Sequence, residues 1–151
     1  MPRSISSDPC PAADNIIRTL IDLVPLSKTH RLLAAGHLGT QILIELNRRG
    51  CTRVATTTSC GAPLGQYDAA LVGWHRQSLQ GLQATLDCLV RFLGPRSVLA
   101  VWVECEESGS DRKLRSMLER LGFRVEVGTA CESGLAVAAR RLESMPAAKA
   151  A

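Results

Sequence analysis

The feature that most constrains the fold of this chain is a segment that joins an apolar strand, a glycine turn and an amphipathic helix. It runs from Arg31 to Gly50 with the sequence RLLAAGHLGTQILIELNRRG. The apolar run at 31–35 predicts a buried strand, and Gly36 and Gly39 predict a tight turn into a helix at about residues 40–49 that stops at Gly50. Folds of alternating strands and helices form nucleotide sites at such a helix N-terminus. The segment therefore predicts where a ligand would bind.

The length and composition indicate one α/β domain. A chain of 151 residues is long enough to bury a core of its own. Its apolar stretches have the length of strands, and the N-terminal segment has no signal-like hydrophobic core, so we expect a soluble, cytoplasmic protein without a membrane span. Residues 1–13 and 145–151 are rich in Pro, Ser, Ala and Lys without apolar periodicity. This pattern predicts flexible termini around a single domain at 14–144.

The charges and cysteines argue against several kinds of site. The net charge is +4, but the basic residues are scattered in short runs such as Arg48–Arg49 and Arg140–Arg141, and aromatic residues make up only 3% of the chain. This pattern predicts a solvated face and disfavours nucleic-acid binding. The six cysteines form no C-x-x-C pair and have no metal-ligand spacing with the three histidines. We therefore expect reduced thiols and no metal site.

The remainder of the chain alternates helices and strands. Asp14 is a predicted N-cap of a first helix that ends before Pro25. After the glycine turn, residues 52–58 and the run YDAALVGW predict two further strands, the second buried on both faces. A long amphipathic helix that includes Leu93 is expected to end at Gly94–Pro95, ahead of the buried strand SVLAVWV.

The C-terminal third predicts a helix followed by a hairpin. Ser110 is a predicted cap, and Gly122 closes the helix where a left-handed turn residue is needed. FRVEVGTA and GLAVAARRL, separated by residues 131–133, predict an antiparallel hairpin. The fold class is then a three-layer, Rossmann-like open sheet, mostly parallel with an antiparallel C-terminal hairpin strand and with helices on both faces. The expected strand order is 2-1-3-4-6-5.

This order of elements resembles the class I S-adenosylmethionine-dependent methyltransferases over roughly residues 14–143. The glycine turn stands at the family's cofactor motif, YDAALV at its fourth-motif strand, and LVRFLGPRSVLAVWV at the segment that carries L-x-P-G-G-x-L. LERLGFRVEV and GLAVAARRL are similar to the family's terminal reversed hairpin. The resemblance implies S-adenosylmethionine as the cofactor, with contacts from Gly36, His37 and Gly39.

The chain departs from the family pattern at two places. Its glycine turn lacks the usual acidic residue, and the end of the second strand offers Thr56, Thr57, Thr58 and Ser59 where the family has a carboxylate that accepts both ribose hydroxyls. About eight residues then lead to YDAALV, too few for the helix and strand that the family places there. Since neutral acceptors bind more weakly than charged ones, we expect a degenerate site that holds the cofactor weakly.

Several polar and aromatic residues are expected at the carboxyl ends of the strands, where open α/β sheets bind ligands. Trp74 and His75 follow the third strand. His75 is a candidate general base, and the Trp74 indole is suited to stack on a flat acceptor. Glu104 leaves the fourth strand and is a candidate to orient an amine or a hydroxyl of the substrate. Asp68 precedes the buried part of its strand, so we expect a turn residue at the opposite edge.

Three functions stay open at this point. The first is an atypical S-adenosylmethionine-dependent methyltransferase with an unknown acceptor. The second is a non-catalytic relative that binds a partner protein or another nucleotide. The third is dinucleotide binding, including NAD(P), through Gly36 and Gly39. Each candidate also has a purely structural reading: the glycines would only pack the turn, His37 would face solvent, and Trp74 would plug the end of the sheet. A homodimer is compatible with the sequence.

Overall fold

The computed structural model describes residues 11–24, 27–56, 65–74, 79–104, 110–131 and 134–142. In this part of the chain, four helices and six strands succeed one another. They are α1 Pro11–Leu23, β1 Leu32–Gly36, α2 Gly39–Arg48, β2 Val54–Thr56, β3 Tyr67–Trp74, α3 Leu79–Val90, β4 Leu93–Glu104, α4 Ser110–Arg120, β5 Phe123–Cys131 and β6 Gly134–Arg141.

The strands form one sheet in the order β2-β1-β3-β4-β6-β5. The first four of these are parallel to one another, and β6 runs antiparallel to both of its neighbours, β4 and β5. The predicted strand order and the reversed terminal hairpin are therefore confirmed. β3 is buried from Ala69 to Trp74 because it lies between two parallel strands with helices over both faces.

Helices cover both faces of the sheet, as predicted for a three-layer fold. Alternate strand residues enter two separate apolar clusters: Leu32 and Ala34 pack with α1 and α2, and Leu33 and Ala35 pack with α3 and α4. This separation follows from the strand period of two, which directs successive side chains to opposite faces. Among the residues that the structure describes, each helix is too short or too polar to traverse a lipid bilayer.

The end of α3 differs from the expectation. α3 ends at Val90, and Leu93 lies in β4, where it pairs with Tyr67. The predicted helix end at Gly94–Pro95 is therefore wrong. The Arg141 guanidinium of β6 donates hydrogen bonds to the carbonyl oxygens of Val90 and Leu93. These bonds occupy a carbonyl that a helix end leaves unpaired and favour an earlier turn into β4.

The start of the first helix also differs from the expectation. α1 begins at Pro11, so Asp14 lies in its first turn and is not the N-cap, and residues 11–13 are helical. Proline is favoured at the first position of a helix because its missing N–H would have no partner there. The described part of the second strand is Val54–Thr56, and residues 143–151 lie outside the described part. Gly122 has a φ of +92°, as predicted for the residue that closes α4.

The sheet has two opposite edges at which strands and helices begin and end. The carboxyl edge is formed by the ends of β1, β3 and β4 together with the starts of β6 and α2. The amino edge is formed by the starts of β1, β2, β3 and β5, where α2, α3 and α4 end. The chain crosses from one edge to the other with every helix.

Candidate functional site

The candidate site is the crevice at the carboxyl edge between β1 and β3. From β1 the chain continues to β2 on one side, and from β3 it continues to β4 on the other, so the two connections diverge here. Ligands of open α/β sheets bind at such a point. Gly36, the last residue of β1, lies opposite Gly73, and Trp74 ends β3.

Backbone packing accounts for one of the two glycines of the turn. Gly36 has a φ of +83°, and a Cβ on it would lie 2.2 Å from the carbonyl oxygen of Gly73. That same oxygen accepts a hydrogen bond from the His37 N–H at 2.8 Å. A Cβ on Gly39 would lie 3.6 Å from the Ala34 carbonyl oxygen, which is an ordinary contact. β1 therefore requires glycine at 36 to approach β3, whereas position 39 accepts a methyl group.

The N-terminus of α2 presents backbone donors at the crevice. The first hydrogen bond of the helix turn runs from the Ile42 N–H to the Leu38 carbonyl oxygen at 2.9 Å. The N–H groups of Gly39, Thr40 and Gln41 precede this bond, and the Leu38 side chain forms no cap. These N–H groups, with the helix dipole behind them, favour a negatively charged or carbonyl group of a ligand.

An aromatic pair lies at the ends of β1 and β3. The centroids of the His37 and Trp74 rings are 4.6 Å apart, and the ring planes are tilted by 52°. His37 is exposed, whereas Trp74 is only 9% exposed. The Trp74 indole N–H is buried and has no hydrogen-bond partner among the described residues. An unsatisfied buried donor is unusual in a folded protein, so this N–H is a candidate donor for a ligand at the end of β3.

The other predicted site residues lie further from the crevice or fall outside the described part of the chain. Glu104 ends β4 at the same edge, half-buried and opposite Gly134. It is two strand spacings, or about 10 Å, from β1. Thr57, Thr58, Ser59 and His75 lie outside the described residues. The structure therefore brings together Gly36, Gly39, His37 and Trp74, and it places Glu104 further along the edge.

Asp68 lies at the amino edge, as expected, but within β3 and not in a turn. Its carboxylate accepts a hydrogen bond from the Arg31 backbone N–H at 2.8 Å. It therefore joins the starts of β1 and β3 and cannot serve a ligand at the carboxyl edge. From Cys51 to Tyr67 the sequence contains no Asp or Glu.

Sequence reasoning missed Gly73, the residue that receives the end of β1. A Cβ on Gly73 would lie 2.7 Å from a methyl carbon of Leu38, so the position is narrow. The only signal was a glycine within an otherwise apolar strand, which indicates close approach of another backbone. The unpartnered indole N–H of Trp74 depends on tertiary packing, and no residue pattern could have indicated it.

Two other kinds of site receive less support. Within the described ranges, no three His, Cys, Asp or Glu side chains come together in a way that could hold a metal ion. A groove of about 360 Å³ between α1 and α2 is lined by residues that include Ile44, Arg48 and Glu45. Its Arg48 and Arg49 guanidinium groups already pair with Glu45. The crevice between β1 and β3 is the better candidate because the Trp74 N–H and the first N–H groups of α2 lie there as hydrogen-bond donors.

Comparison with known proteins gives a match in fold. No sequence family model and no curated protein sequence matches the chain. The structure matches the cyclase SpnF at 15% identity and a TM-score of 0.62, over 87% of this chain and 81% of that one. It matches the Burkholderia thailandensis 1,6-didemethyltoxoflavin-N1-methyltransferase, solved with S-adenosylhomocysteine, at 13% identity and a TM-score of 0.62, over 88% and 79%.

A further match is a SAM-dependent methyltransferase from Aquifex aeolicus, at 13% identity and a TM-score of 0.56, over 85% of this chain and 90% of that one. At such low identity these likenesses speak for the fold alone. The strand order and the reversed hairpin agree with them. The chain has the fold of the class I S-adenosylmethionine-dependent methyltransferases.

Proposed function

We propose that this chain is an atypical S-adenosylmethionine-dependent methyltransferase-like protein with a degenerate cofactor site in the crevice between β1 and β3. The observation that carries this proposal is the buried, unpartnered N–H of Trp74 beside the exposed His37 ring. A buried donor without a partner costs about 1–3 kcal/mol, and a ligand that accepts its hydrogen bond removes this cost. One protein with this fold was solved with S-adenosylhomocysteine bound.

The described residues suit two parts of S-adenosylmethionine. Its carboxylate is an acceptor for the N–H groups that precede the first helical bond of α2. Its sulfonium is a cation, and cations are attracted to the face of an aromatic ring such as that of Trp74. When bound, the cofactor supplies an electrophilic methyl group.

The residues suit the ribose of the cofactor poorly. Because no carboxylate occurs between Cys51 and Tyr67, the ribose hydroxyls would be bound by neutral groups such as those of Thr57, Thr58 and Ser59. A hydrogen bond to a charged group contributes about 1.5–3 kcal/mol, against about 0.5–1.5 kcal/mol for a neutral one. Losing this difference twice weakens binding by roughly 30-fold or more, and we expect a dissociation constant in the high-micromolar range.

Methyl transfer requires alignment of the acceptor more than covalent help from the protein. We assign this alignment to the carboxyl edge. His75, next in sequence to Trp74, would accept the proton of the acceptor as a general base, since its ordinary pKa lies near neutrality. Glu104 would orient an amine or a hydroxyl of the acceptor from the end of β4.

Calorimetric titration with S-adenosylmethionine, S-adenosylhomocysteine, NAD and NADP tests the proposal. We expect weak binding of the first two and a roughly fivefold to tenfold loss of affinity in Trp74→Phe, which keeps a ring but removes the N–H. Tyr67→Phe is the matched control, because it changes an aromatic residue of β3 at the opposite edge. Binding that is absent at millimolar ligand, or equal in both variants, would overturn the proposal. A submicromolar dissociation constant would show that the site is not degenerate.

A second candidate function is a non-catalytic relative that binds a partner protein or another nucleotide. The observation in its favour is that Gly36 and Gly39 both turn their missing Cβ positions toward protein backbone. The close approach to Gly73 explains Gly36 without any ligand, whereas position 39 has room for a methyl group. The cyclase SpnF also shows that proteins of this fold are named for activities other than methyl transfer. Binding of NAD or NADP in preference to S-adenosylmethionine in the same titration would favour this candidate.

A further inference from the structure

The arginines that are scattered in the sequence come together at the amino edge of the sheet. Strand starts and helix ends both lie at this edge, so residues far apart in the chain become neighbours along it. The exposed basic side chains that the fold places there include Lys28, Arg53, Arg91, Arg120, Arg124 and Arg140. Exposed basic side chains therefore outnumber exposed carboxylates such as those of Asp68 and Glu119 at the amino edge, on the side of the molecule opposite the crevice between β1 and β3.

Helix dipoles explain only part of this surface. Cations are favourable at helix C-termini, which accounts for Arg91 after α3 and Arg120 at the end of α4. Arg53 and Arg124 have no such reason, because they precede β2 and lie at the start of β5. Both are exposed, and neither has a carboxylate of the described residues within ion-pair distance.

One cross-strand pair in the hairpin brings two positive charges together. Arg124 of β5 and Arg140 of β6 are direct cross-strand partners. Like charges in this position destabilise a sheet. Glu126 offsets the repulsion in part, with its carboxylate 3.4 Å from the Arg140 guanidinium and both side chains more than two-fifths exposed. An anionic ligand over the pair would convert the repulsion into binding energy.

We propose that the amino edge binds the phosphate backbone of a nucleic-acid duplex. The exposed basic side chains of this edge form a row, which we call the basic row. It extends from Arg53 before β2 to Arg124 on β5, across five strand spacings or about 24 Å. At about 3.4 Å per base pair the row is as long as roughly seven base pairs, so it reaches those phosphates of both strands that lie on the near side of the duplex. Arginine, which supplies most of the row, is the side chain best shaped to bind phosphate through two hydrogen bonds.

The binding is to the backbone and carries no sequence preference. With 3% aromatic residues the chain has few rings on which bases could stack. An anionic membrane suits the surface less well, because interfacial binding needs apolar side chains beside the basic ones. Ile44, Val127 and Leu142 are the exposed large apolar residues of the described chain, and only Leu142 follows the basic row. This inference is independent of the crevice and of the function proposed for it.

Fluorescence anisotropy with a labelled 20-base-pair DNA duplex of mixed sequence tests the proposal. The variant Arg53→Gln/Arg124→Gln removes one charge from each end of the row. The matched control is Arg112→Gln/Lys113→Gln, which removes two exposed charges from the first turns of α4, at the carboxyl edge. Both variants have the same net charge, and thermal melts establish that both are folded. Arg53→Lys/Arg124→Lys keeps the charges and serves as the rescue.

We expect the first variant to weaken binding at least tenfold at 50 mM salt and to reduce the slope of log K against log salt by about 2. The control should change affinity less than threefold, and the lysine variant should bind nearly as the parent does. The proposal is wrong if the parent does not bind the duplex at 50 mM salt, or if both glutamine variants lose affinity equally. It is also wrong if phosphatidylserine vesicles or polyglutamate displace the duplex at equal charge.

Discussion

The two ends of the β1–β3 pair are built differently. At the amino edge, the Asp68 carboxylate accepts the Arg31 N–H at 2.8 Å, the Asp68 N–H donates to the Arg31 carbonyl at 2.8 Å, and the Arg31 guanidinium donates to the Gln66 side-chain amide at 3.0 Å. At the carboxyl edge, the His37 N–H donates a hydrogen bond to the Gly73 carbonyl oxygen, and the Trp74 N–H has no partner among the residues that the structure describes.

The two edges therefore contribute differently to the stability of the strand pair. Polar side chains at the amino edge satisfy one another, so they add to the stability of the pair. At the carboxyl edge, close contact of the Gly36 and Gly73 backbones replaces side-chain bonding. Substitutions at the two edges should therefore differ in kind: those at the carboxyl edge act through steric conflict, and those at the amino edge through lost hydrogen bonds and charge.

Gly36→Ala should produce the largest effect. Its Cβ would lie 2.2 Å from the Gly73 carbonyl oxygen, and the φ of +83° is unfavourable for any L side chain. Backbone atoms of a central strand cannot move aside, so we expect a loss of roughly 3 kcal/mol or more in the free energy of unfolding. Urea denaturation followed by circular dichroism measures this loss.

Gly39→Ala is the control for Gly36→Ala. The new methyl group would make only an ordinary contact with Ala34, and alanine is the better helix former, so stability should stay within about 1 kcal/mol of the parent. Equal destabilisation by both substitutions would show that the turn is strained as a unit and that the close approach of Gly36 to Gly73 is not the cause.

Gly73→Ala should have an intermediate effect. Here the new Cβ would lie 2.7–2.9 Å from three side-chain carbons of Leu38. A side chain can shift where a backbone cannot, so we expect a loss of about 1–3 kcal/mol, typical of overpacking. The double variant Gly73→Ala/Leu38→Ala should recover part of the lost stability. No recovery in a double-mutant cycle would contradict the assignment of the conflict to Leu38.

These positions show what the sequence could and could not predict. The order of strands was predictable because the apolar runs and the reversed hairpin are local patterns. The end of α3 was not, since Leu93 continues the helical apolar spacing and Arg141, 48 residues further on, supplies the bonds at the turn. Likewise, Gly36 was singled out from its turn, but its partner Gly73 is brought beside it only by the pairing of β1 with β3.

The candidate site was predictable to the same extent. Trp74 and Glu104 were expected at the carboxyl edge because strand direction decides where a strand ends, and both lie there. The contact of the Trp74 ring with His37 and the absence of a partner for its N–H depend on packing between strands. Similarly, the sequence presents the arginines as scattered, and only the fold assembles them on one edge.

Asp68→Ala should lower the free energy of unfolding modestly, because it removes a hydrogen bond at the amino edge. The substitution leaves the Arg31 N–H without its acceptor, but the site is exposed, so water replaces part of the bond. We expect a loss of about 1 kcal/mol and a fall in Tm of about 2–4 °C. Asp68→Asn keeps an acceptor oxygen and should lose less than half of that. If asparagine and alanine cost the same, the carboxylate charge and not the hydrogen bond would be responsible.

The smallest expected effect concerns Glu45, near the end of α2. The Arg49 guanidinium donates to its carboxylate at 2.9 Å and Arg48 lies at 3.3 Å. The hydrogen bond from Arg49 is the largest cause that holds the pKa of Glu45 below its ordinary value. A carboxyl group with a lowered pKa in the folded state stabilises the fold above its unfolded pKa, and this stabilisation is lost as the pH falls through the folded pKa.

Glu45→Gln therefore tests how much the charges at this end of α2 contribute to the free energy of unfolding. Because all three side chains are partly exposed, the contribution at neutral pH is only a few tenths of a kcal/mol. We expect the parent to be slightly more stable than the variant at pH 7, and the difference to shrink as the pH falls below the ordinary pKa of a glutamate and to vanish once the folded-state carboxyl group is protonated. Thermal melts across this range measure the difference. A difference that is the same at every pH would mean that Glu45 acts through packing in the α1–α2 groove, and that charge plays no part in it.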